Sequence, residues 1–183
     1  RVITVNDKGN VDYMIYGYSK AKEHVGENGI SILRYNYESN SSTEAAFVPC
    51  KVPAYNLEKQ LSQLCYVGDG TLYIMMNNTI YYANLKTKEW GALVENVEDG
   101  SFAINSDGSM LAYNTSGKAY DTENITIVNL KNGEKKTIEA GADNIITVYG
   151  YTGTNLIYGI GSQSDVPKKS FVPVSKLVIV DKD

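Results

Sequence analysis

Residues 101–113 read Ser-Phe-Ala-Ile-Asn-Ser-Asp-Gly-Ser-Met-Leu-Ala-Tyr, and residues 125–140 read Ile-Thr-Ile-Val-Asn-Leu-Lys-Asn-Gly-Glu-Lys-Lys-Thr-Ile-Glu-Ala. An apolar run enters an Asn-Ser-Asp-Gly turn and leaves it as a second apolar run ending in Tyr113. A third run then passes through a Lys-Asn-Gly turn into a charged fourth. Asn, Asp and Gly tolerate the positive φ of tight hairpins, so the stretch is predicted to be a four-stranded antiparallel meander. The same order of turns and strands recurs about four times along the chain. Each such unit has two apolar faces that only neighbouring units can cover. The repetition therefore predicts an all-β, β-propeller-like fold of about four antiparallel blades.

Working outward by the turns, the blades fall at about 1–49, 64–97, 101–140 and 143–183, as a single propeller domain or segment. The first has strands at 2–5, 11–18, 29–37 and 44–48, with insertions at 19–28 and at the tip 38–43. The second has strands at 64–67, 71–76, 79–85 and 90–94. The third has them at 101–105, 109–114, 124–130 and 134–139, and the last at 145–149, 156–160 and 175–180 around a long loop, 161–174. Between the first two blades Tyr55, Leu57, Leu61 and Leu64 recur near helical spacing, which predicts one short helix over 57–63. The last blade has three strands, so another part of the chain completes its edge or the protein continues. An open apolar edge invites aggregation.

With 183 residues, 43% of them hydrophobic, the chain can bury one sizeable core. It begins with Arg1 and shows no charged start followed by an apolar run, so it reads as a fragment or a processed form. The longest apolar stretches, 72–76 and 177–180, are strand-sized, far below the roughly 20 residues of a membrane helix. A net charge of −4 with scattered basic residues argues against a nucleic-acid partner, which needs clustered Lys and Arg. The pairs Lys135-Lys136 and Lys168-Lys169 read as solvated turns. Cys50 and Cys65 lack the spacing and His partners of a zinc site; they could pair with each other or remain buried thiols. The 15 Tyr against 3 Phe suit half-buried strands with wet edges, and point toward an exported protein. Asn-x-Ser/Thr triplets begin at Asn40, Asn77, Asn114 and Asn124, as expected by chance in a chain rich in these residues.

The third blade, residues 102–113, resembles the repeat of TolB-type propellers, whose blades carry a Ser-Pro-Asp-Gly turn before an apolar strand ending in an aromatic. This chain has Asn-Ser-Asp-Gly and lacks the Pro. Residues 14–18, Met-Ile-Tyr-Gly-Tyr, followed by His24-x-Gly26-x-x-Gly29-Ile30, resemble a set of uncharacterised cell-envelope proteins of clostridial-type Gram-positive bacteria. Val25 stands where those proteins commonly have an acidic residue. The similarity runs through most of the chain, including residues 143–165. It implies architecture and an envelope location, and it brings no activity.

His24 is the sole histidine, so any Ser-His-Asp or Cys-His mechanism would have to use it. No Gly-x-Ser-x-Gly elbow exists, and neither cysteine has an activating signature. Residues 24–29 lack the Lys-Ser/Thr ending and following helix of a phosphate loop. Asp7, Asp69 and Asp107 occupy equivalent turn positions, where an Asp is expected to accept backbone N–H bonds rather than bind calcium. Asp121 and Glu123, within 118–124, are the one local acidic cluster on a long connection. The acidic residues number 21, too many for a glycosidase pair to be picked from sequence. Tyr16, Tyr18, Tyr35, Tyr37, Tyr81, Tyr82 and Trp90 lie on strands, where they pack between blades or present rings to a sugar or peptide.

These readings predict a non-enzymatic extracytoplasmic module that presents the loops 19–28, 115–123 and 161–174 to a protein, peptide or envelope component. The expected loop contacts are Tyr18, His24, Glu27, Lys118, Tyr120, Asp121 and Asp165. No cofactor, metal or catalytic residue is assigned. Two alternatives come from other classes: a substrate-gating propeller of a larger hydrolase, and the ectodomain of a membrane-anchored sensor.

Overall fold

The computed structural model describes residues 1–20, 22–168 and 173–180. Among the described residues the fold is all-β apart from one α-helix and two short 3-10 turns, with four antiparallel blade-like sheets. It divides into two compact units, Arg1–Leu93 and Val94–Asp183.

In the first unit, β1 (Val2–Val5), β2 (Val11–Tyr18), β3 (Asn28–Asn36) and β4 (Ser41–Pro49) form one meander. Helix α1 (Ala54–Gln63) follows, and then β5 (Cys65–Gly68), β6 (Thr71–Met76), β7 (Thr79–Asn84) and β8 (Trp90–Val94) form the second. Register puts Met14 beside Ile32 and Ala46, and Tyr16 beside Ile30 and Val48. Because strand side chains alternate, these residues share one face. They pack with Leu57 and Leu61 of α1 and with Leu72, Ile74 and Met76 of β6 into one core.

The second unit is built likewise from β9 (Phe102–Ile104), β10 (Met110–Asn114), β11 (Asn124–Asn129) and β12 (Lys135–Glu139). Its other sheet has β13 (Asn144–Thr152), β14 (Asn155–Ser162) and β15 (Val174–Val180), three strands among the described residues. Ala112 and Ile125 of the first sheet meet Ile146, Val148, Leu156 and Tyr158 of the second.

Several expected boundaries shift for physical reasons. The helix starts at Ala54 rather than at 57, with Pro53 at its N-cap. A fixed proline φ favours a helix start, and the first turn, Ala54-Tyr55-Asn56, is exposed, so the first buried residue of the helix is Leu57. The tip 38–43 shrinks to a tight turn, and β4 begins at Ser41. Asn36 Oδ1 accepts both the backbone N–H and the hydroxyl of Ser39, and Asn40 takes a φ of 47°. Strand β13 runs on to Thr152 past a bulge between Val148 and Gly150, leaving a two-residue turn. The insertion 19–28 contains a 3-10 turn, Lys22–His24. The loop 161–174 contains another, Gln163–Lys168; part of that loop and Lys169 lie outside the described residues, as do 181–183 of the last blade.

The turn chemistry also corrects one expectation. In the first hairpin the acceptor of backbone N–H groups is Asn6, which takes bonds from Lys8 and Asn10, and not Asp7. Asn84 and Asn129 do the same work at later turns, and Asp69 contributes a positive φ of 46°. Asp107 does act as expected, accepting from the hydroxyl and backbone N–H of Ser109, while Asn105 Oδ1 takes the Met110 N–H. The Ser109 hydroxyl, then its N–H, with help from Asn105 and Lys131, hold the Asp107 carboxyl down at about 2. A carboxylate lowered on folding stabilises the fold above its ordinary range, and that contribution is lost as pH falls toward the folded value. The NMR titration midpoint of Asp107 is expected near 2, and Ser109→Ala should raise it toward the ordinary carboxylate value. An unshifted Asp107 in the unmodified protein would refute this turn geometry.

Candidate functional site

An open cleft of about 1160 Å³ lies wholly within the first unit. One wall comes from the ends of β2, β3 and β4, as Tyr18, Asn28, Pro49 and Cys50. Lys51, Val52 and Pro53, which follow β4, also line it. Asn56 and Gln60 of α1, the Asn77-Asn78 turn and Tyr81 form the other wall. Glu27 is also among the lining residues.

The carboxamides are arranged by local structure. Asn77 and Asn78 both take left-handed φ, 53° and 54°, which closes a two-residue hairpin between β6 and β7. Gln60 braces that hairpin from the helix: its Oε1 accepts the Asn77 N–H at 2.6 Å, and its Nε2 donates to Asn78 Oδ1 at 3.2 Å. Opposite, Asn28 Nδ2 donates to the Tyr16 hydroxyl at 3.1 Å, and that hydroxyl donates to the Val52 carbonyl. The Asn28 carbonyl accepts the Cys50 N–H. The side chains of Asn56 and Asn77 make no hydrogen bond to described residues. Tyr18 is 77% exposed at the rim.

The structure brings Tyr18 and Glu27 to this cleft. It sets His24 aside from the lining, stacked on Phe47 with ring centroids 4.3 Å apart and planes at 17°. The His24 Nδ1 lies 3.6 Å from a Glu27 carboxylate oxygen. Lys118, Tyr120, Asp121 and Asp165 belong to the second unit. There Lys118 Nζ is 3.9 Å from Asp121, and Gln163 Nε2 donates to Asp121 at 2.9 Å, which ties the connection after β10 to the 3-10 turn that carries Asp165. Tyr120 is 42% exposed. Among the described residues no group of three His, Cys, Asp or Glu side chains could hold a metal ion.

Both cysteines are free thiols, and burial pushes both thiol pKa values up, which disfavours the reactive thiolate. Sequence reasoning missed Asn56, Gln60, Asn77 and Asn78. The Asn-Asn turn was legible as a hairpin, but its meeting with α1 is set by packing across 17 residues between Gln60 and Asn77.

No protein-family model and no curated protein matches the chain. Among solved structures it is similar to YjhT, at 11% identity and a TM-score of 0.36, over 86% of this chain and 57% of that one. It is also similar to TolB from Acinetobacter baumannii, at 10% identity and a TM-score of 0.30, over 84% of this chain and 49% of that one. A chain of the mitotic checkpoint complex matches at 15% identity and a TM-score of 0.25, over 98% of this chain and 70% of that one. The chain thus spans about half the length of YjhT and of TolB.

Proposed function

We propose that the protein is a non-enzymatic binding module that works outside the cytoplasm and holds an extended envelope component, peptide or protein segment in the cleft of its first unit. The cleft carries this reading: the scaffold holds the Asn56 and Asn77 carboxamides, unpartnered among the described residues, and an exposed Tyr18 around one open depression. Convergent polar groups on a pre-formed concavity are the usual mark of a binding site. The absence of chemistry is supported by the sole histidine, which stacks on Phe47 instead of facing the cleft, and by thiols kept protonated by burial. The location outside the cytoplasm is supported by the tyrosine-rich sheets and by the sequence resemblance to envelope proteins. No helix among the described residues is long and apolar enough to cross a membrane. A nucleic-acid partner is disfavoured by the net charge of −4.

The test is a titration of isotope-labelled protein with a pool of soluble neutral oligosaccharides and uncharged oligopeptides. The side-chain amide signals of Asn28, Asn56, Asn77 and Asn78 should shift, and mass spectrometry should find the pool chemically unchanged after hours of incubation. Unmoved carboxamide signals would remove the cleft reading. Cleavage of any component would remove the non-enzymatic one.

A further inference from the structure

We infer that the cleft of the first unit is a site for a neutral oligosaccharide; this rests on reading that cleft as the binding site and names the class of ligand it takes. Among the described residues five carboxamides line it, Asn28, Asn56, Gln60, Asn77 and Asn78, with one cation, Lys51, and one anion, Glu27. A carboxamide offers a neutral donor and a neutral acceptor side by side. Adjacent sugar hydroxyls offer the complementary pair, since each can both donate and accept. An anionic polymer or phosphate would need more than one cation, and an apolar ligand would leave the carboxamides desolvated and unpaired.

A peptide is the serious competitor, and the lining argues against it. Peptides held in extended form are read mainly through a ladder of backbone hydrogen bonds to a free strand edge. The cleft is bordered by strand ends, a hairpin tip and a helix, and two of its residues, Pro49 and Pro53, have no N–H to give. What faces the open space is side-chain amide, not backbone ladder. Tyr18 completes the fit, because its exposed ring at the rim presents a flat apolar surface to the C–H face of a sugar ring.

The site is also pre-organised. Gln60 fixes the Asn77-Asn78 turn through two hydrogen bonds, and the Asn28–Tyr16–Val52 relay fixes the opposite wall. A lining already locked in place loses little side-chain freedom on binding. Asn56 and Asn77 then face the ligand with their hydrogen-bonding capacity unspent.

The experiment is calorimetry and NMR on the whole chain, with two sets of probes. One set is neutral hexasaccharides of glucose, N-acetylglucosamine, mannose and xylose; the other is uncharged hexapeptides of Ser, Gly, Asn and Thr. At least one hexasaccharide should bind and shift the Asn56 and Asn77 side-chain amides, and no hexapeptide should. Asn77→Ala and Tyr18→Ala should each weaken that sugar about tenfold, the change expected for one lost hydrogen-bond pair or one lost stacking contact. Tyr18 is exposed, so Tyr18→Ala should unfold at the temperature of the unmodified chain. Asn77 holds a left-handed φ of 53° that costs alanine about 1 kcal/mol, so Asn77→Gly, which accepts that φ and removes the same carboxamide, should match Asn77→Ala in binding while keeping the hairpin. Hexapeptides that shift the cleft while sugars do not would overturn the sugar inference and leave the cleft reading intact. Sugar binding indifferent to both variants would overturn the inference by placing the ligand elsewhere. If neither probe set moves a cleft signal, the inference and the reading beneath it both fall.

Discussion

Replacing Asn114 by Ala is expected to cost about 3 kcal/mol, more than an average substitution, because it strands several buried polar groups at once. Asn114 ends β10 and is fully buried. Its Nδ2 donates to the Lys118 carbonyl at 2.7 Å, to the Ala119 carbonyl at 3.3 Å and to the Thr147 hydroxyl at 3.2 Å. Its Oδ1 accepts the Val148 N–H at 3.0 Å. One side chain thus ties the connection after β10 to the middle of β13. Alanine leaves the Val148 N–H without an acceptor in a site closed to water, and that desolvation penalty dominates over the bond energies themselves. Denaturant unfolding gives the magnitude, and hydrogen exchange locates it. The Val148 amide should lose its protection in Asn114→Ala. Ser116→Ala, two residues away and exposed, should stay within about 0.5 kcal/mol of the unmodified chain. Equal losses in the two variants would show that the connection, and not the buried amide, is what matters.

Gly29→Ala is expected to cost about 3 kcal/mol for a different reason, overpacking. Gly29 has ordinary strand geometry, so backbone strain is not involved. A Cβ there would sit 2.6 Å from Phe47 Cζ and 2.6 Å from the Val48 carbonyl oxygen. The ring is buried under His24, and the carbonyl belongs to the β3–β4 ladder, so neither can retreat freely. Trp90, the sole tryptophan, lies on β8 of the same unit and reports the loss by fluorescence. Adding Phe47→Leu should recover part of the loss, because the ring clash is relieved while the carbonyl clash remains. Full recovery would show that the ring alone excludes a side chain at position 29. No loss at all would refute the packing of β3 on β4.

Much of the fold could be read from local signals. The Asn-Ser-Asp-Gly, Asp-Gly and Lys-Asn-Gly turns fix where hairpins reverse, and alternation between them places the strands. What could not be read locally is which neighbour performs a turn's chemistry. Asn6 and Asp7 are adjacent and chemically similar, and only the backbone path of the folded hairpin decides that Asn6 is the acceptor. The candidate site was less legible. Tyr18 and Glu27 were within reach because they flank an obvious insertion, whereas Asn56 and Gln60 sit on the polar side of a helix where carboxamides look like ordinary surface. Their significance comes from α1 lying against the β6–β7 hairpin, a long-range consequence of Leu57 and Leu61 entering the core. His24 shows the opposite case. Its uniqueness in the sequence draws attention, and its stacking on Phe47 gives it packing work.

The burial of Asn114 also bears on how the protein can be manufactured. With Thr115 and Ser116 it spells an acceptor triplet for N-linked glycosylation, a modification made at this same side-chain nitrogen. In the secretory route of a eukaryotic host the sugar is attached while the chain is still unfolded, when every such nitrogen is accessible. At Asn40, on an exposed hairpin tip, a glycan would project into solvent. At Asn114 it would occupy the space of the Lys118 carbonyl and bar the second unit from its native packing. A bacterial host avoids the conflict, and in a glycosylating one Ser116→Ala avoids it as well, because it removes the third position of the triplet while leaving the buried amide untouched.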